Sequence, residues 1–165
     1  MAPFNNLPNQ YRITIDGQQK WFGQWAFESP AVCWLFPGKT IHIEAPCLDC
    51  GEPVRVDIKD GVVLNSDPEG LIGHVSVPLR KWKENVTFTW STMHFFRSEE
   101  HLRNWAGFDA EKEGGIISLS DLVKLTSIDH FRKRLEPDYI SHYLGVGEVM
   151  KRLQEIGKKD PYWLP

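Results

Sequence analysis

The sequence predicts an α+β domain, with an antiparallel or mixed β-sheet core and helices in the C-terminal part. Three observations carry that expectation. Short runs of alternating apolar and polar residues recur up to Val77, separated by Asp-Gly and Pro-Gly turns. From Ser98 the apolar spacing becomes helical, with serines at capping positions. Strands are thus grouped before helices, the pattern of an α+β domain.

In chain order, residues 1–10 are rich in Pro and Asn and read as a loosely docked arm. Tyr11 to Asp16 alternates into a strand through Ile13 and Ile15, and Asp16-Gly17 is a hairpin turn. The returning strand runs from Lys20 to about Glu28, where Ser29-Pro30 breaks it. Ala31 to Phe36 is too short to classify, and Pro37-Gly38 is a turn. Lys39 to Ala45 and Val54 to Lys59 alternate cleanly on either side of the turn Pro46-Cys47-Leu48-Asp49-Cys50-Gly51-Glu52-Pro53. Asp60-Gly61 closes another hairpin, residues 65–70 are a polar loop, and Leu71 to Val77 is a further strand.

Val86 to Phe96 is dense in β-branched and aromatic residues and lacks Gly and Pro, which predicts a central strand buried on both faces. Phe88, Trp90, Thr92, His94 and Phe96 would share one face. Ser98 then caps a helix over 98–106, with Glu99 and Glu100 in its first turn. Ser118 or Ser120 caps a longer one, with a stripe through Leu119, Leu122, Val123, Leu125, Ile128, Phe131 and Leu135, stopped by Glu136-Pro137. A last helical segment, Pro137 to Ile156, is interrupted near Gly145 and Gly147 and ends at Gly157.

The 165 residues suit a single domain over 1–165. A net charge of −3 gives no electrostatic case for nucleic acid or an anionic membrane. No apolar run approaches the roughly 20 residues that cross a bilayer, and no secretory signal opens the chain. The three cysteines, an odd number, fit a reducing compartment, and the cytoplasm is the expected location. Seven tryptophans are core material, and several around one cavity would wall a site for an apolar or aromatic small molecule.

Cys47-Leu48-Asp49-Cys50-Gly51 is the strongest local motif, half a zinc knuckle at a hairpin tip. Zinc is the cofactor it would take, through Cys47 and Cys50. Four ligands close a structural site, and Cys33 with His42, His74 or His94 could complete one. The plain alternative is a polar turn with one buried thiol. His94 reads either as a general acid/base or as a core histidine bonded to backbone. Glu28, Asp49 and Glu52 are acids near turns, either proton shuttles or solvated side chains. No phosphate-binding Gly loop, H-E-x-x-H or nucleophile elbow is present.

From Tyr11 to Leu135 the order of pieces resembles the catalytic domain of organomercurial (alkylmercury) lyases. The matching pieces are Ile15-Asp16-Gly17, Phe36-Pro37, Gly38-Lys39-Thr40, Cys47-x-x-x-Gly51-x-Pro53-Val54, His94-Phe95-Phe96, Ser98, Trp105 and Ile117-Ser118. The resemblance implies an alkylmercury-lyase-like core over 11–135, a C-terminal helical extension over 136–165, and no N-terminal winged-helix domain. It also implies departures. The family holds mercury between two thiolates and relays a proton from a nearby carboxylate. At its Trp-Cys-x-x-Asp segment this chain has Trp25-Ala26-Phe27-Glu28-Ser29, and four residues before the histidine it has Trp90. The expectation is therefore a divergent member lacking the mercury-gripping cysteines, with Cys47 at a supporting position.

Two functions follow as expectations. In the first, the scaffold is an enzyme of lyase, isomerase or cyclase type that moves a proton on an apolar or aromatic small-molecule substrate, and carbon–mercury cleavage is not expected. Glu28, Ser29 and His94 would be catalytic, and Trp25, Trp90 and Thr92 would bind substrate. In the second, the protein is a non-catalytic binder of a metal or small molecule through the Cys47/Cys50 turn.

Overall fold

Two hairpin turns, Asp16-Gly17 and Asp60-Gly61, have positive φ at both central residues (48° and 77°, 48° and 80°). That geometry matches the right-handed twist of the strands it joins. The structure, a computed structural model, describes residues 4–5, 7–107, 109, 114–126 and 146–164. Within these the first turn joins β2 (Arg12–Ile15) to β3 (Gln18–Gly23), and the second joins β5 (Pro53–Lys59) to β6 (Val62–Asp67). With β1 (Phe4–Asn5) and β4 (Thr40–Pro46) they form a six-stranded sheet in the order β1-β3-β2-β4-β5-β6. Every pairing in it is antiparallel. Strict alternation on β4 and β5 turns Ile41, Ile43 and Ala45, with Val54, Val56 and Ile58, onto the core face. Each large aliphatic among them contributes about 1.5–3 kcal/mol by leaving water.

A smaller sheet has β7 (Ile72–Val75) between β8 (Met93–Phe96) and β9 (Gly115–Ser118), again antiparallel. Between the sheets runs a helical segment: α1 (Trp25–Glu28) passes into a 3₁₀ turn, Ser29–Trp34. The α1 turn packs on β7 and β8, and the 3₁₀ turn packs on β4 and β5. Outside lie α2 (Val86–Ser91), α3 (Glu99–Ala106), α4 (Leu119–Leu125) and α5 (Val146–Glu155). Ser98 caps α3, accepting from the His101 amide at 3.4 Å, and Ser118 caps α4, accepting from the Asp121 amide at 3.2 Å. The expected α+β class, an antiparallel sheet core with helices in the C-terminal part, is the observed one, although α1 precedes β4, and β8 and β9 follow α2 and α3 respectively. No described helix is long and apolar enough to cross a membrane.

Four expectations are corrected. Val86 to Phe96 is not one central strand but α2 followed by β8, an edge of the small sheet. Asn85 is the reason: its side chain accepts from the Phe88 amide at 2.9 Å and caps a helix. The Ser91 and Thr92 hydroxyls then donate to the Phe88 and Thr89 carbonyls, both at 2.7 Å, and close its end. Val86 and Phe88 are 40% and 58% exposed, so the aromatic density did not mean two buried faces. The returning strand ends at Gly23 rather than Glu28, because Trp25 takes φ 62° and turns the chain into α1. Residues 65–67 belong to β6 rather than a loop, and Gly147 lies inside α5 instead of interrupting it. Ile128, Phe131, Leu135, the Glu136-Pro137 stop and Gly145 lie outside the described residues.

Gly23 is where β3 meets the helical segment. A β-carbon there would sit 2.0 Å from Ser29 Oγ, 2.8 Å from Ser29 Cβ and 3.3 Å from Ile13 Cδ1. The Gly23 amide also donates to the Tyr11 carbonyl at 2.7 Å, which pins the backbone that would have to yield. Gly23→Ala should therefore destabilise by roughly 1–3 kcal/mol, the cost of overpacking a filled site. Urea unfolding measures it, and Ser29→Gly in the same chain should recover part of the loss. A variant as stable as the parent would show that the segment is free to move.

Candidate functional site

The β4–β5 hairpin ends in a turn whose backbone is closed on itself. The Cys47 amide donates to the Glu52 carbonyl at 2.8 Å, and the Gly51 amide donates to the Cys47 carbonyl at 2.9 Å. Gly51 supplies the positive φ, 76°, that brings the chain back into β5. Cys47 is buried in the core, while Cys50 is exposed. Arg97, following β8, donates to the Pro53 carbonyl at 3.0 Å and ties the start of α3 to the hairpin beside its turn. The Ser98 cap then sets His101 in the first turn of α3, where its Nδ1 lies 2.7 Å from Asp49 Oδ2. One ligand atom from each of Cys47, Cys50 and His101 lies within 4.8 Å of the others. Two sulfurs and an imidazole are donors for zinc, copper(I) and other thiophilic ions, so this cluster can hold a metal.

His101 was not among the histidines weighed from the sequence. The ones that were weighed have other surroundings. His42 Nδ1 bonds Asp57 across β4–β5 at 2.6 Å, in register with it. His74 is fully buried against the rings of Phe96 and Trp105. His94 pairs in register with His74. Cys33 is buried in the 3₁₀ turn, where burial pushes its thiol up to about 12, and it is no part of the cluster. The signal for His101 was present as two separate features, a capped helix and a two-thiol turn. Nothing local joined them across 52 residues.

The other residues singled out from the sequence fall around α1. Trp25 meets the rings of Tyr11 and His94 edge-on, with centroids 6.4 and 6.2 Å away. The Tyr11 hydroxyl donates to the Met93 carbonyl at 3.3 Å and lies 3.5 Å from His94 Nδ1. Burial raises the Tyr11 phenol and lowers the His94 imidazole, the latter opposed by a backbone hydrogen bond at Ser91. Both groups are therefore held neutral. Ser29 is fully buried, its hydroxyl donating to the Trp25 carbonyl at 2.6 Å, and Glu28 is buried beside it in sequence. Trp90 and Thr92 are half-buried at the end of α2; among the described residues Trp90 makes no ring contact with Trp25 or His94. A recess of about 780 Å³ opens elsewhere, lined by Val77, Arg80, Lys81, Phe88 and Tyr162 among others, and none of the sequence-derived site residues lines it. The sequence marks Tyr11 only as a strand residue.

Comparison with known proteins bears on both groups. The family model described as alkylmercury lyase (MerB) matches residues 4–128. Alkylmercury lyases of Bacillus cereus and Clostridium butyricum are each 24% identical over 119 residues, 72% of this chain and 52% of theirs. That of Staphylococcus epidermidis is likewise 24% identical, over 53% of its length. The chain thus spans about half the length of the curated relatives it matches. A crystal structure of the mercury-bound form of MerB2 superposes with a TM-score of 0.57 at 22% identity, over 71% of this chain and 55% of that one. This similarity agrees with the α+β architecture. The expectation of a divergent member lacking the mercury-gripping cysteines is corrected: the chain is not a cysteine-lacking variant, for Cys47 and Cys50 stand together beside the His101 imidazole. With three quarters of its length matched by the family model, the chain belongs to the alkylmercury lyase family.

Proposed function

We propose that the protein binds a thiophilic metal ion through Cys47, Cys50 and His101. The observation that carries the reading is the mutual distance of the three ligand atoms, under 4.8 Å. Around a tetrahedral zinc with bonds of 2.0–2.3 Å, ligand atoms stand about 3.5–3.8 Å apart. The cluster needs only to contract by about 1 Å, which an exposed Cys50 at the turn permits. Asp49 holds Nδ1 of His101, which assigns Nε2 to the metal and fixes the ring. A solved structure of similar fold is of a mercury-bound form, so one relative takes a thiophilic ion. Zinc is the probe for this chain, and the ion's identity is set by the supply as much as by the donors.

In equilibrium dialysis under reducing conditions the chain should take up about one zinc, and Asp49→Asn should weaken binding by roughly 10–100-fold by loosening the ring. His101→Ala should cost more than Asp49→Asn, because it deletes a ligand and not its support. Less than about a tenth of a zinc per reduced chain would remove the reading.

A second reading rests on a different observation. Trp25 holds φ 62°, a conformation that costs a non-glycine residue of order 1–3 kcal/mol and persists where surroundings impose it. It does so against His94, an imidazole kept neutral by burial. That pairing supports proton transfer on an apolar or aromatic substrate, with His94, Glu28 and Ser29 as the acid/base set and Trp25, Trp90 and Thr92 binding it. The sign of the pH effect follows from the lowered imidazole. Below its ordinary value of 6.5 the unfolded chain binds a proton that the folded chain refuses. Stability due to His94 is thus complete above about pH 6.5, declines as pH falls, and levels off below the folded value. His94→Gln should flatten that limb of the stability–pH curve, and NMR titration should place His94 below 6.5. A titration at or above 6.5 would deny it the role of a neutral base.

A further inference from the structure

We infer that Cys47 and Cys50 form a reversible dithiol–disulfide couple that gates the metal site, because closing the disulfide removes two of its three donors. The inference rests on the metal reading given above and concerns how that site is regulated. Its basis is the unequal setting of two neighbouring sulfurs. They lie within 4.8 Å of one another, so bonding at about 2.05 Å requires a shift of at most about 3 Å. Cys47 cannot supply it: the residue is buried, its amide is held by Glu52, and its carbonyl is held by Gly51. Cys50 can, since it is exposed and followed by Gly51, around whose α-carbon a side chain would meet nothing within 4 Å. Cys33 does not compete. It is buried in the 3₁₀ turn, outside the cluster, and burial suppresses its thiolate.

The oxidant is a low-molecular-weight disulfide. The Cys50 thiolate attacks one of its sulfurs; that S–S bond breaks, a mixed disulfide forms at Cys50, and one small thiol leaves. The Cys47 thiolate then attacks the Cys50 sulfur, forming the Cys47–Cys50 bond and expelling the second small thiol. Two protein thiols are oxidised, one external disulfide is reduced to two thiols, and the two protons go with the departing thiolates. His101 alone is left to hold the ion, and one imidazole does not retain it against solvent.

The test uses the full chain, zinc-free and zinc-loaded, incubated with glutathione disulfide. Alkylation with peptide mapping follows the thiols, and a chromogenic chelator follows released zinc. Free thiols, counted by alkylation of the unfolded chain, should fall from three to one, the survivor being Cys33. Bound zinc should fall from about one per chain to less than about a tenth, and added dithiol should restore it. Cys50→Ser, an exposed position, should keep the fold and form no internal disulfide. A lasting mixed disulfide at Cys50, a disulfide that includes Cys33, or zinc kept by the closed form would each overturn the gate. The zinc-free arm separates the two proposals. Zinc bound by reduced protein that never closes the disulfide defeats the gate alone. A disulfide that closes in protein unable to take zinc defeats the metal reading, and the gate with it.

Discussion

The packing of the Trp25–Trp34 segment between the two sheets is the constraint on which the remaining arrangement depends. Its first turn lies on β7 and β8 and its second on β4 and β5, so it fixes one sheet against the other. Three residues make that close approach possible. Gly23 leaves room for Ser29, Ser29 spends its hydroxyl on the Trp25 carbonyl, and Trp25 accepts a left-handed backbone to start the turn. Phe27 then reaches the Trp82 ring, and a side chain at Gly73 of β7 would press on Ile117 and touch Phe27. With the segment in place, β4 and β5 are buried on one face and their register is determined. The hairpin tip is thereby held at a defined height over α3.

The two candidate groups follow from that frame in different ways. The ring group of Tyr11, Trp25 and His94 sits at the segment itself, and its polar atoms are turned inward to backbone and to each other. The thiol cluster sits at the far end of a hairpin, with one sulfur in the core and one at the surface. The first is built for fixed geometry and a dry dielectric; the second is built for access.

Much of the fold was legible because one-sided burial imposes a period of two on strands, and β4 and β5 obey it residue by residue. Both Asp-Gly turns and the Ser98 and Ser118 caps were legible for a local reason, since each satisfies its own backbone within a few residues. Val86 to Ser91 was not, because strand propensity there reports shape and not burial, and a single cap at Asn85 outweighed it. Trp25 was not legible either: its φ is imposed by tertiary packing and leaves no mark in composition. At the site, the two thiols announced themselves by spacing. His101, and its pairing with Asp49, did not, because that bond spans 52 residues and exists only once α3 is tied to the hairpin by Arg97. Tyr11 was hidden in the same way, its contact with His94 spanning 83 residues.

The closed backbone of the Cys47–Glu52 turn has a thermodynamic consequence. Where a zinc-binding loop is unstructured before the ion arrives, ordering the chain consumes much of the coordination energy. Here the amide of Cys47, the amide of Gly51 and the Asp49–His101 pair already hold the turn. Uptake of an ion would therefore order little besides the Cys50 side chain and hide little new apolar surface. Its calorimetric signature would be a small heat-capacity change, unlike the large negative one of coupled folding. Affinity at such a turn would report the donors themselves, while a bound ion would still raise the melting temperature of the domain by mass action.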